Sequence, residues 1–312
     1  MESMHLLVGT LKETLKSEVK WGALRRLEFI EFRLFWNGRV NRLDLGEVFG
    51  LSHQQASTDL KSYQELAPEN CIYDHAQKAY VRTERFKPVL IDRETDRYLL
   101  QVMAVKSGWM SKDDTWFDQL PKLEVVGLAR KPLDPKVVLA ILDAIRKKQI
   151  LNVDYRSMTG SPEAWRVIAP HAVSYSAGRW YARAWSSDHN DFRDYSLGRI
   201  HDVRGVSEEF DRSGLDYEWH QKINLQIEPN PELSAERQGA VAAEHDMVGG
   251  VLEVPVRLSQ SFYLMSEHNL DVERGKLLPE KQQLVLRNRK DVDDARRLAR
   301  QMSKEALARG EP

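Results

Sequence analysis

The chain has 312 residues, a mass of 36.1 kDa and 42% hydrophobic residues, which calls for two or three packed domains and excludes a disordered chain. Lys and Arg number 46 against 47 Asp and Glu, so the net charge is -1 and the pI about 6.8. That balance excludes a polybasic coat for nucleic acid but not a module that contacts nucleic acid locally.

In chain order, the first clear pattern runs from Trp21 to Trp36. Leu24, Leu27, Phe29, Ile30, Phe32, Leu34 and Phe35 recur at helical spacing, and Arg25, Arg26, Glu28, Glu31 and Arg33 fill the gaps. The helix is expected to stop at Asn37-Gly38. Arg42 to Phe49 reads as a second short helix with Leu43, Leu45, Val48 and Phe49 inward, broken by Gly50. Ser52 can cap a third helix reaching Leu66, with Ala56, Leu60 and Tyr63 inward. Its other face carries His53, Gln54, Gln55, Ser57, Thr58 and Lys61, side-chain types that donate to phosphates and read base edges. A short helix, a glycine turn and a polar-faced helix form the helix-turn-helix pattern. Cys71-Ile72-Tyr73 and Ala79-Tyr80-Val81 then predict a hairpin in the position of a wing, with Asp74 to Lys78 at its tip. Ser52, His53, Gln54, Gln55, Ser57, Thr58, Lys61, His75, Gln77 and Lys78 are the candidate DNA contacts. A plain three-helix bundle with a solvated polar face would fit the same pattern. Positive and negative residues nearly balance over 1–90, so one copy should bind weakly, and a homodimer on an inverted repeat in double-stranded DNA is expected.

Residues 91–148 read as a helical connector: Tyr98 to Met103 is helical and broken at Ser107-Gly108, and Lys136 to Lys148 places Val137, Val138, Ile141, Leu142 and Ile145 on one face. From Ile150 the period changes to two. Five short strands are expected, at 151–156, 164–168, 171–175, 179–186 and 191–200, in an Sm- or SH3-like small β-barrel over 149–210. Between 150 and 206 the chain uses Arg156, Arg166, Arg179, Arg183, Arg193, Arg199 and Arg204 and no lysine, a bias toward bidentate recognition of phosphate or carboxylate. Strand parity puts Arg179, Tyr181, Arg183 and Trp185 on one face of their strand, and Arg193, Tyr195, Leu197 and Arg199 on one face of the next. Together they predict an arginine and tyrosine patch for a nucleotide or short nucleic acid, with Tyr155, Ser157 and His171 beside it. The alternative is a solvated face paired with Asp188, Asp191, Asp194 and Asp202.

Pro229 and Pro231 are expected to mark a boundary. A strand at 251–258, a helix at 261–269, a strand at 283–286 and a helix at 291–307 give the order βαβα within a C-terminal α+β domain, 211–312. Its role is left between a dimer contact, an effector clamp and an inert cap. The whole chain is thus expected to be α+β. Cys71 alone excludes a disulfide framework or a multi-cysteine metal site. No window approaches the ~20 apolar residues of a membrane span, and Glu2, His5, Lys12 and Glu13 leave no apolar signal core. A cytoplasmic protein without membrane partner, metal or cofactor is expected. HExxH, GxSxG, P-loop and GxGxxG motifs do not occur, so no catalytic residue is assigned and the chain is not expected to be an enzyme.

Gly178 to Trp185 and Phe192 to Ile200, with Trp180-Tyr181-Ala182 at their centre, resemble the two most diagnostic strands of the WYL-domain transcription regulators. Tyr155-Arg156-Ser157 and Pro170-His171 resemble the family's opening strands. The layout of winged helix-turn-helix, WYL barrel and C-terminal WCX-like extension is similar to the phage-defence-associated BrxR/CapW group. The resemblance implies a homodimeric repressor of a BREX- or CBASS-type defence operon whose WYL domain senses a nucleotide or nucleic-acid ligand. Carried over, the ligand pocket would use Tyr155, Ser157, His171, Tyr181, Arg183, Arg193 and Arg199. Ala182 departs from the usual Leu and is expected to affect packing, since it points away from Tyr181 and Arg183. Two other classes remain open: a nucleotide-processing enzyme with Arg183, Arg193 and Arg199 as phosphate clamp and His171 as acid/base, and a non-regulatory nucleic-acid-binding scaffold.

Overall fold

A computed structural model describes residues 21–91, 95–127, 130–158 and 164–310. The expectation placed on Glu2, His5, Lys12 and Glu13 lies outside the described residues. The chain forms two compact units, Met1–Ala129 and Arg130–Pro312.

In the first unit, α1 (Trp21–Phe32) widens into a π turn (Arg33–Asn37) closed by Gly38 at φ 78°, whose N–H donates to the Leu34 carbonyl. After β1 (Arg39–Val40), α2 (Arg42–Phe49) starts with a reciprocal cap: the Asn41 side chain accepts from the Leu43 and Asp44 amides, and the Asp44 carboxylate accepts from the Asn41 amide. Gly50, at φ 66°, ends it. Helix α3 (His53–Leu66) follows at once, capped by Ser52. Strands β2 (Cys71–Asp74) and β3 (Ala79–Arg82) form the expected hairpin, and β1 joins it to give the sheet order β1-β3-β2. The core takes Phe29, Ile30 and Leu34 from α1 and its turn, Leu45 from α2, and Ala56, Leu60 and Tyr63 from α3.

Two expectations fail here for physical reasons. Leu43 and Val48 are 59% and 42% exposed, because an eight-residue helix turns only one narrow face inward and Leu45 fills it. Glu31 and Arg33 are buried, not solvated. Glu31 accepts the amides of Val89, Leu90 and Ile91 at 2.6–2.7 Å and the Tyr63 hydroxyl at 3.1 Å. Arg33 pairs with Asp44 at 3.0 Å and lies 3.7 Å from Asp118.

The segment read as one connector divides between the units. Helix α4 (Thr95–Lys106) belongs to the first: Tyr98 stacks on Trp36 at 3.9 Å and meets Phe117 edge-on. Helix α5 (Pro135–Lys147) belongs to the second and buries Val137, Ile141 and Ala144 in its sheet core, while Leu142 stays exposed. That sheet is antiparallel, in the order β7-β6-β5-β4-β8, from β4 (Gln149–Tyr155), β5 (Ala164–Ser176), β6 (Arg179–Ser186), β7 (Asp191–Ser196) and β8 (Ile200–Glu209). The strands expected at 164–168 and 171–175 are one strand, shifted in register between Pro170 and Ala172, where proline offers no amide to the ladder. The strand expected at 191–200 stops at Ser196, and a 3-10 turn over Leu197–Arg199 redirects the chain into β8. The segment expected as the small barrel supplies these five strands.

A short α6 (Tyr217–His220) leads into β9 (Lys222–Pro229), α7 (Ala235–Glu244), β10 (Leu252–Arg257), α8 (Leu258–Glu267), β11 (Leu284–Leu286) and α9 (Arg289–Ala308). Sequence reading missed β9 and α7. Pro229 and Pro231 mark no boundary, because β9 is the centre of an antiparallel sheet ordered β10-β9-β11. Pro255 lies in the outer strand β10, opposite Asn224. Among the described residues no helix is long and apolar enough to cross a membrane.

Candidate nucleic-acid interface and ligand site

Helix α3 is positioned by an ion pair that sequence reading missed. Asp59, the one acid between residues 53 and 64, is buried and accepts both Arg26 Nε at 2.6 Å and Arg26 Nη2 at 3.2 Å, tying α3 to α1. Gln55 Nε2 donates to the same carboxylate at 3.0 Å. The signal was a lone acid on a polar face with no other negative charge between residues 53 and 64. His53, Gln54, Gln55, Thr58 and Lys61 are exposed on α3, and Ser57 is half-buried. Their donors are not equally free. Ser52 Oγ accepts the Gln55 amide as the cap. Ser57 and Thr58 return their hydroxyls to the His53 and Gln54 carbonyls at 2.8 and 3.1 Å. Lys61 Nζ lies 3.7 Å from Glu65 in an exposed pair, worth little. Among the described residues no hydrogen bond holds the side chains of His53 and Gln54.

The hairpin tip is pinned from within. Asp74 Oδ1 accepts the Ala76 and Gln77 amides, and its Oδ2 accepts Gln77 Nε2 at 2.8 Å. These bonds hold the Asp74 carboxyl below its ordinary range. His75, Gln77 and Lys78 are all exposed there, with Lys78 at φ 51°.

The seven candidate ligand residues do not come together as one patch. Ser186 pairs with Asp191 across the β6–β7 turn, so each odd-numbered residue of β6 faces an even-numbered residue of β7. Arg183 therefore sits opposite Asp194, and Arg193 opposite Ala184 on the other side of the sheet. Arg199 leaves the strand altogether, in the 3-10 turn. Tyr155 is buried in the core against Tyr195, ring centroids 5.0 Å apart. Ser157 is half-buried beyond the end of β4, and Arg193 is exposed. Tyr181, Arg183 and His171 do converge, the last carried by the irregularity at Pro170. Ala182 is fully buried in the core.

What these three converge on is a carboxylate cluster from the chain's own later elements. Arg183, 3% exposed, forks onto Asp216 through Nε at 2.7 Å and Nη2 at 2.9 Å. It also reaches Glu218 at 3.3 Å and Asp194 at 3.5 Å. His171 Nε2 lies 2.9 Å from Asp216 Oδ2. Tyr263 donates to Asp194 at 3.1 Å while its ring packs on Tyr181, and Arg300 Nε reaches Glu218 at 3.3 Å. The donors of Arg183 are thereby occupied, and β6 is bound to α6, α8 and α9. Neither Asp216 nor Glu218 figured among the sequence candidates. Their only signal was a pair of acids set between Leu215, Tyr217 and Trp219.

Burial pushes the Asp216 carboxyl up, but the His171 and Arg183 hydrogen bonds and the Arg183 charge outweigh it and hold it below 3.8. Asp194 goes the other way, because burial dominates its arginine and tyrosine contacts. A depressed carboxyl stabilises the fold fully above its unfolded value and loses that effect as pH falls through the folded one. The stability gap between wild type and Asp216→Asn is therefore expected to close as pH drops below about 3.8, measured by urea unfolding at stepped pH. A gap that stays constant to pH 2 would contradict the assignment.

Three family models match this chain: the BrxR transcriptional regulator winged helix-turn-helix domain over residues 22–104, the WYL domain over 136–204, and the BrxR transcriptional regulator C-terminal dimerization domain over 222–292. The DNA-binding transcriptional repressor CapW of Stenotrophomonas maltophilia is 34% identical over 278 residues, covering 88% of this chain and 93% of that protein. CapW of Pseudomonas aeruginosa is 34% identical over 285 residues, covering 88% and 92%. CapW of Escherichia coli (strain KTE188) is 32% identical over 283 residues, covering 88% and 91%. With its winged helix, its five-stranded sheet and its C-terminal α+β unit matched in that order, the chain belongs to the BrxR/CapW family of WYL-domain transcriptional regulators.

Proposed function

We propose that this chain is a cytoplasmic DNA-binding transcriptional repressor that dimerises through its C-terminal domain and reads an inverted repeat with α3 and the β2–β3 wing. The regulated genes would be a phage-defence operon of BREX or CBASS type, and the effector a nucleotide or short nucleic acid sensed by the WYL domain. The observation that carries the reading is the exposed, nearly acid-free face of α3, held in place by the Arg26–Asp59 fork. The matched dimerization domain supports two copies on a two-fold site.

The test is anisotropy titration of the full chain on duplexes from its own upstream region at several salt concentrations. A footprinted repeat should bind far more tightly than a scrambled duplex, and binding should fall with salt. Gln54→Ala is expected to remove about 1–3 kcal/mol of discrimination at one base position. Lys61→Ala should weaken all sequences alike and lower the salt slope by about 1. Equal affinity for repeat and scrambled duplex overturns the reading.

A further inference from the structure

Beside the Arg183 cluster, a cavity of about 230 Å³ opens between the β5–β7 face of the sheet and the turn that follows β8. Of the expected ligand residues only His171 lines it. Its other walls are of two kinds. Phe192, 2% exposed, and the tilted pair Trp185 and Phe210, centroids 4.5 Å apart, supply flat apolar surface. Lys148 and Arg212 supply charged donors, whereas the Ser213 amide and hydroxyl both donate to Asp211 Oδ1, at 3.0 and 2.6 Å. Lys148 is already committed to Asp211 at 2.7 Å, and Asp211 is the one carboxylate in the lining. Arg212 lies over the Phe210 ring at 5.3 Å and pairs with no carboxylate among the described residues. The lining therefore keeps one positive charge in excess, next to aromatic walls. The volume is below the ~300–1,000 Å³ of drug-sized sites. It admits a single planar ring system with one anionic group, not an oligonucleotide.

We propose that this cavity binds a small aromatic anion, its ring against Trp185 and Phe210 and its charge on Arg212, and that the occupant acts on the rest of the molecule through His171. The His171 ring lies in the cavity wall while its Nε2 touches Asp216, the residue that forks Arg183. An occupant that shifts or repolarises this ring changes the contact binding the sheet to α6, and through α6 to the C-terminal domain. The binding claim stands on the cavity alone; the second claim rests on the repressor reading.

Calorimetry of the full chain with AMP, UMP, benzoate and inorganic phosphate tests the site. Saturable binding of a ring-bearing anion, one per chain and weakened at least tenfold by Arg212→Gln, is the expected result. Binding by the nucleotides alone assigns the anion to a phosphate ester, and binding by benzoate alone assigns it to a carboxylate. Arg193→Gln, on the opposite side of the sheet, should bind as wild type does. Four blank titrations, phosphate binding as tightly as the nucleotides, or an Arg212→Gln variant with unchanged affinity each overturn the site. The link to His171 is read as operator affinity with and without saturating ligand. A change of threefold or more, abolished by His171→Phe, supports it, and no change overturns it. Failure of the unliganded protein to prefer its operator overturns the repressor reading alone, because calorimetry reads the site without DNA.

Discussion

Arg183→Met is expected to destabilise the second unit by about 3–5 kcal/mol, because it leaves Asp216, Glu218 and Asp194 crowded in the interior with their principal counter-charge gone. The attraction lost is large only because the site is buried. Asp216 is fully buried and Glu218 nearly so, and neither can recover its hydration without opening the contact between β6 and α6. Urea unfolding followed by circular dichroism measures the loss. The double variant Arg183→Met with Asp216→Asn should recover part of it, since the amide carries no stranded charge. Strict additivity of the two substitutions would show that the fork is not the interaction being measured. Methionine keeps much of the apolar stem, so a loss of this size cannot be assigned to packing.

A comparable loss, about 3 kcal/mol or more, is expected in the first unit from Glu31→Ala. That substitution strands the amides of Val89, Leu90 and Ile91 and the Tyr63 hydroxyl in a buried site, each at a cost of about 1–3 kcal/mol unless water enters. Burial pushes the Glu31 carboxyl up, and its four donors pull it back. Glu31→Gln keeps an acceptor oxygen and should lose less. The distinguishing measurement is amide exchange at residues 89–91: fast exchange there in Glu31→Ala, with α3 still protected, is the expected pattern. Unchanged protection at these three amides would contradict the role given to Glu31.

Local chemistry made α3 legible. A serine cap, a glycine in the left-handed region and three apolar residues at helical spacing define α3 to within a residue, because each acts over four positions or fewer. The same holds for the hairpin and for the face shared by Tyr181 and Arg183. What escaped was whatever depends on partners far along the chain. Parity fixes the faces within a strand but not between strands, and pairing Ser186 with Asp191 put Arg193 across the sheet from its expected companions. Glu31 and Arg183 look like solvated charges until residues 58–60 and 33 positions away are seen to satisfy them. The face shared by Tyr181 and Arg183 stood out by its donors, but nothing in the strands themselves announced that Asp216 and Glu218 would cover it.

The C-terminal sheet also limits how two copies can join. One of its edges is β11, only three residues long, and the other is β10, interrupted by Pro255. A proline in an outer strand breaks the row of free amides that a neighbouring strand would need, and a three-residue strand offers too short a row to start one. A sheet running unbroken from one copy into the other is therefore disfavoured on both sides. Association through this domain would then rest on side-chain contacts, and such an interface could be loosened by tilting one surface against the other without breaking a backbone ladder.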